Sequence, residues 1–227
     1  MTANNLNANL RVYETLSDGE VVNRIRAGDL PLFELIMRRY NRRLFRYLRA
    51  ILNDDCLAQD ALQEAYLNAF RYLDQFRGPD GLGAWLMRIA SRSAIKIGRK
   101  EARMRLVDTI QDPDQLPADE TYGPETTAIH AEMISKAERA IDRLPQDFRV
   151  VFMLRELEGM NIGETAAVLG IKPATVKTRL HRAKNLLRSR IDLSAEKLGA
   201  QVYNFAGERC DAIVEHVFSR LGSTSHH

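Results

Sequence analysis

The sequence predicts an all-α protein: two small helical domains joined by an acidic flexible linker, the second containing a helix-turn-helix. Three observations predict this. Apolar residues recur at helical spacing through most of the chain, and no alternating apolar runs flank a two-residue hairpin turn. A stretch over residues 104–127 loses that period and interleaves Asp108, Asp112, Asp114, Asp119, Glu120 and Glu125 with Pro113, Pro117, Gly123 and Pro124. Between Leu144 and Arg190 the pattern reads as two short helices, a tight turn and a longer basic helix.

Taken in order, residues 1–17 form a loose polar tail. A first helical block spans 18–103 and opens at Ser17, with Glu20 three residues on, the spacing of a capping box. Leu32, Phe33, Leu35, Ile36, Tyr40, Leu44, Phe45 and Leu48 give an amphipathic helix. In the next helix Leu62, Ala65, Ala69 and Leu73 point inward. Asp60, Gln63 and Glu64, three and four residues apart, share one outward surface. That surface reads either as an ordinary solvated face or as a docking patch for a partner with arginines.

Arg77 to Gly83 is a loop by its glycines and proline. The helix that follows carries Arg88, Arg92, Lys96, Arg99, Lys100 and Arg103, with Trp85 at its head and Ile89 and Ala90 lining one side. Basic residues beside a flat ring suit single-stranded or melted nucleic acid, whose bases stack on aromatics. A lone tryptophan also fits core packing, and spacing alone leaves both readings open.

After the linker, a second block spans 128–191. Asn161 caps a helix, Glu164 completes a capping box, and Gly170 supplies the left-handed stop. Pro173 suits a first helical turn. Val176, Leu180, Ala183 and Leu187 then form a buried stripe. Lys177, His181, Lys184 and Arg188 form a second stripe, with Arg179 and Arg182 beside it, and no acid falls between Lys172 and Arg190. An unopposed basic face on the second helix of this motif points to the phosphate backbone of duplex DNA.

The 227 residues allow one large or two small domains, and 45% hydrophobic content is ordinary for a globular chain. The net charge of +3 says little; its uneven distribution says more. No apolar run approaches the roughly 20 residues of a membrane span, so no membrane insertion is expected. The first twenty residues lack the apolar centre of a secretory signal. Cys56 and Cys210 lie far apart, which fits reduced thiols in cytoplasm. No phosphate loop, zinc-hydrolase pair or nucleophile elbow is present, and the five histidines are scattered. The sequence therefore predicts no catalytic residue, no cofactor, no metal and no small-molecule substrate.

The two blocks together resemble the extracytoplasmic-function (ECF) sigma factors of bacterial RNA polymerase. AQDALQEAYLNAF looks like the family's region 2 core-binding helix, and WLMRIASRSAIKIGRK like its segment for opening the −10 element. The stretch from Ala140 to Arg188 looks like region 4, which reads the −35 element. The resemblance implies that Asp60, Gln63 and Glu64 dock on the polymerase core, and that Trp85, Arg88, Arg92, Lys96, Arg99 and Lys100 contact −10 DNA. It implies −35 contacts from Lys172, Thr175, Lys177, Thr178, Arg179, His181, Arg182 and Lys184. Arg179 and Lys177 are the basic residues best matched to guanine edges, while Arg182, Lys184 and His181 suit phosphates. It also implies promoter DNA and polymerase core as partners, an anti-sigma protein as a third, and a linker threading the polymerase.

This chain departs from the family at four places. Arg92 and Lys96 stand where the family usually has asparagine and aspartate, and Gly163 and Ala174 where it has glutamate and glycine. The C-terminal extension, 192–227, lies outside the two-region pattern. Its amphipathic helix near Cys210 to Leu221 reads as a cap, with Ile213, Val214, Val217 and Leu221 packed on either block, or as a regulatory element. Cys210 and His216 do not share a helix face, so they make a poor metal pair. The alternative function is a stand-alone helix-turn-helix regulator, which would use the second block and have no use for the first.

Overall fold

A computed structural model of the protein describes residues 13, 15–78, 81–107, 125–188 and 202–224. Those residues form helices α1 (Asp18–Arg26), α2 (Phe33–Leu52), α3 (Asp55–Arg71), α4 (Leu82–Val107), α5 (Glu125–Asp142), α6 (Gln146–Phe152), α7 (Ile162–Leu169), α8 (Pro173–Arg188) and α9 (Glu208–Thr224). Short 3₁₀ turns stand at Leu30–Leu32 and Leu73–Gln75, and α6 runs into a π-helical turn at Met153–Leu157. No strand occurs among the described residues. The chain divides into two compact units. The first is Met1–Leu48, Asp54–Ala94 and Phe205–His227; the second is Arg49–Asn53 and Ile95–Asn204.

The first unit begins at the capping box that the sequence marks. Ser17 Oγ accepts the Glu20 N–H at 3.3 Å, and the Glu20 carboxylate accepts the Ser17 N–H at 2.8 Å. α2 supplies Phe33, Ile36, Met37, Leu44, Phe45, Tyr47 and Leu48 to the core, and α3 supplies Ala58, Ala61, Leu62, Ala65, Tyr66 and Ala69. The four alanines keep α3 close to its neighbours, and the aromatics fill what remains. Phe33 meets Tyr66 and Phe70 edge-on, at 6.2 and 5.2 Å between centroids. The buried Tyr66 hydroxyl donates to the Met37 carbonyl at 3.2 Å. Asp54 caps α3 by accepting the Leu57 N–H at 2.8 Å. Gly83, in the first turn of α4, lies against Tyr40: a Cβ there would sit 2.9 Å from the Tyr40 ring.

The C-terminal helix belongs to this first unit. α9 buries Cys210, Ile213, Val214 and Val217. Phe205, just before it, stacks on Phe45 of α2. Arg209 lies over the Phe45 ring at 4.8 Å and reaches Asp55 of α3 at 2.8 Å. Arg38 meets Asp211 at 2.9 Å, and the buried Asn41 donates to Cys210 Sγ at 2.8 Å. Of the two packing sites left open for this amphipathic helix, the first block is the one it uses.

In the second unit, Val151, Ala166 and Val176 form a small core, with Ile162, Leu169, Ile171 and Leu180 packed around it. Arg149 is buried in α6 and donates to the carbonyls of Asp142 and Leu144 at 2.8 and 3.0 Å. Burial pushes its guanidinium below the ordinary arginine range, against the pull of nearby Asp142. Tyr203 is held in the same unit: its N–H donates to Glu138 at 2.6 Å and its hydroxyl to Asp142 at 2.7 Å.

Element ends differ from the sequence expectation near the linker. α4 continues through Val107, and α5 starts at Glu125, so residues 104–107 and 125–127 are helical. Residues 108–124 of the expected linker, and most of the expected N-terminal tail, lie outside the described residues.

Candidate nucleic-acid interface

The helix-turn-helix is built by its caps. Asn161 Oδ1 accepts the Glu164 N–H at 2.9 Å, and the Glu164 carboxylate accepts the Asn161 N–H at 2.8 Å. Two backbone donors that α7 would leave orphaned are thereby satisfied. Gly170 takes φ 63°, and the Ile171 N–H returns to the Ala166 carbonyl at 3.1 Å. This left-handed residue turns the chain sharply between α7 and α8. Pro173 then opens α8 where a missing N–H is harmless.

α8 buries Val176 and Ala183 completely, while Leu180 and Leu187 are half-buried. About 3.6 residues per turn puts Lys177, Thr178, His181, Arg182, Asn185 and Arg188 on the opposite side, and all six are exposed. His181 and Asn185 are paired across one turn at 3.0 Å. Lys172 is exposed just before the helix, and Thr175 is half-buried at its start.

Arg179 and Lys184 are placed differently from the rest. Arg179 lies 2.5 Å from Asp147 of α6, with its side chain only 26% exposed. Lys184 lies 2.7 Å from Glu156 in the π-helical turn. The sequence suits Arg179 to a guanine edge and Lys184 to a phosphate. The structure gives both an acidic partner on the scaffold, and neither Asp147 nor Glu156 was singled out from the sequence.

On α4, Trp85, Arg88, Arg92, Lys96, Arg99 and Arg103 fall within one broad face by helical spacing, with Lys100 at its edge. The basic side chains are all exposed. From Arg88 to Arg103 the face runs roughly 22 Å along the axis, at about 1.5 Å per residue. Ile95, 49% exposed, adjoins it. Trp85 is half-buried, its ring tilted against Phe76 at 5.6 Å between centroids. Ile89 and Ala90 are buried.

On α3, Asp60 is exposed, and Gln63 and Glu64 are half-buried. Asn68 donates to Glu64 at 3.4 Å. Asp55, which Arg209 of α9 reaches, falls on a different side of α3 from Asp60. Among the described residues no group of three or more potential ligands is placed to hold a metal ion. No described helix is long and apolar enough to cross a membrane.

Comparison with known proteins matches these two regions separately. Residues 36–104 match the family model "Sigma-70 region 2", and residues 134–187 match "Sigma-70, region 4". The ECF RNA polymerase sigma-E factor of Escherichia coli K12 is 30% identical over 192 residues, covering 78% of this chain and 96% of the relative. The chain belongs to the ECF group of the sigma-70 family.

The RNA polymerase sigma-H factor of Pseudomonas aeruginosa is 29% identical over 178 residues, covering 75% of this chain and 91% of that one. Two solved structures share the fold. The sigma factor RpoE of Bartonella quintana, in complex with the anti-sigma factor NepR, has a TM-score of 0.55 at 21% identity and covers 75% of this chain and 99% of that one. CnrH in complex with the cytosolic domain of CnrY has a TM-score of 0.52 at 22% identity, covering 77% and 96%. This sigma factor thus associates with RNA polymerase and directs it to promoters. The stand-alone regulator reading loses its support, since region 2 accompanies region 4. The family is one of non-enzymatic proteins. α9 lies beyond both matched regions.

Proposed function

We propose that the work of initiation is divided among three surfaces. Asp60, Gln63 and Glu64 on α3 dock on the polymerase core, their carboxylates facing basic groups and fixing register more than affinity. The α4 face of Trp85, Arg88, Arg92, Lys96, Arg99 and Lys100 takes the −10 strand as it melts, with phosphates on the cations and a base stacked on the half-buried indole. Arg92 and Lys96 add charge to that face, which favours backbone affinity over base choice there.

α8 enters the major groove at the −35 element. The observation that carries this reading is its outward arc: Lys177, Thr178, His181 and Arg182 are exposed together on a helix without an acidic residue. Lys177 and Arg182 match the two acceptors of guanine, and Thr178 and His181 reach edges beside them. Lys172 and Arg188 hold phosphates at the ends, and Thr175 contacts the backbone at the helix start. Arg179 and Lys184, paired to acids, border the contact surface and do not centre it.

The protein acts in the cytoplasm, where its polymerase is. Both solved neighbours are complexes in which a partner protein is bound, and an anti-sigma protein is the matching partner proposed for this chain.

Gel-shift with a promoter pool tests the division of labour. A promoter-specific complex is expected only when core polymerase is added. Equally specific binding by the sigma factor alone, as a dimer on paired half-sites, would contradict it.

A further inference from the structure

Two acidic side chains outside the recognition helix each hold one basic side chain on it. Asp147, near the start of α6, takes Arg179 at 2.5 Å. Glu156, in the π-helical turn, takes Lys184 at 2.7 Å. Arg179 is three residues beyond Val176 and Lys184 eight beyond it, so the two cations flank the buried Val176–Ala183 stripe on opposite sides. Glu156 stands in the π-helical turn Met153–Leu157, which is wider than an α-helical turn.

Half-exposed ion pairs add little to stability. Their consequence here is geometric. The fully buried part of the stripe is one valine and one alanine. Small apolar side chains resist rotation of a helix about its own axis only weakly, because a small roll changes few contacts. A one-residue change in facing is a roll of about 100°, and a fraction of that moves a guanidinium off a base edge. A charged anchor on each flank opposes roll in both directions.

The pairs also set which cations reach DNA. Lys172, Lys177, Arg182 and Arg188 are exposed and have no ion-pair partner among the described residues. Arg179 and Lys184 are neutralised by the scaffold.

We infer that Asp147 and Glu156 are positioning residues for promoter reading: they fix the roll of α8 and withhold Arg179 and Lys184 from the phosphate backbone. This rests on the proposed role of α8 as the −35 reader. It predicts that removing the acids sacrifices discrimination while non-specific affinity is kept or gained, the reverse of removing a DNA contact.

The test uses full-length protein assembled with core polymerase. A −35 sequence is first selected from a randomised pool with the wild type. Affinity for the selected and a scrambled −35 is then measured across a salt series for wild type, D147N, E156Q, the double variant, and the swap Asp147→Arg with Arg179→Asp. The double variant should lose about tenfold in the selected-to-scrambled ratio, the discrimination one base pair carries. Its affinity for scrambled DNA should hold or rise. Its salt slope should steepen by up to about 1.8, since each freed cation adds about 0.9. The swap should recover most of the ratio, because it restores the pair with Arg179 absent.

An unchanged ratio and slope in the double variant would overturn the inference, as would a lower melting temperature with an unchanged ratio. If the neutral variants lose their helical circular dichroism, the swap decides: a folded swap without discrimination makes Arg179 a base reader and ends the positioning role. If the wild type selects no −35 sequence at all, the reading of α8 itself fails and this inference falls with it.

Discussion

Phe205 stacks on Phe45 with ring centroids 4.2 Å apart and planes 20° from parallel. The pair joins the C-terminal segment, which lies beyond the two matched regions, to the middle of α2, inside the first of them. Arg209 covers both rings, at 4.8 and 5.2 Å.

Phe205 is buried, so Phe205→Ala should cost about 3 kcal/mol or more in stability of the first unit. Thiol labelling reads the same event locally. Cys56 is exposed and Cys210 buried, so one thiol should react quickly and the other slowly. In the Phe205→Ala variant the slow thiol should become fast as α9 lifts. Equal rates in wild type and variant would show that the stack does not hold α9.

The caps of the helix-turn-helix give a second expectation. Asn161→Ala removes the acceptor for the Glu164 N–H and should destabilise by about 1 kcal/mol. Gly170→Ala meets no neighbouring atom within 4 Å, so its effect is backbone strain alone, again about 1 kcal/mol. Chemical denaturation measures both. A neutral Gly170→Ala would mean the left-handed turn is not kept in solution.

Docking on the polymerase is tested by charge. Asp60 is exposed and its reversal disturbs no buried contact. Asp60→Lys should weaken association with core about tenfold, or about 1.4 kcal/mol, and Glu64→Lys should do likewise. Circular dichroism should stay unchanged. Transcription at wild-type levels by both variants would remove α3 from the docking surface.

The α4 face is tested by salt. Arg92→Ala and Arg99→Ala each remove one exposed cation. Each should lower the salt slope for binding a −10 single strand by about 0.7. Trp85→Ala should instead weaken binding with little change in slope, since stacking releases no counterions. A Trp85→Ala variant that melts early yet binds the strand normally would make Trp85 a core residue only.

Much of the fold was legible because its signals are local. Asn161, Glu164 and Gly170 announce the turn within ten residues, and the structure shows those bonds. Period alone points Leu62, Ala65, Ala69 and Leu73 inward, and all four are buried. Long-range partners were not legible. Asp147 lies 32 positions before Arg179, and nothing in the spacing links them. The helix that carries Arg179 holds no acid; the neutralising charge comes from another helix. For the same reason the apolar stripe of α9 was visible in Ile213, Val214 and Val217, while its seat on Phe45 and Asn41 was not. Capping and period end at the helix boundary, whereas tertiary charge pairing depends on how helices pack.

Run-off transcription with purified core polymerase on a randomised promoter pool tests the central claim most directly. The account predicts that this protein joins core and starts transcripts from a narrow set of templates sharing one upstream and one downstream element. Failure to associate with core, or transcripts whose start sites ignore both elements, would contradict it.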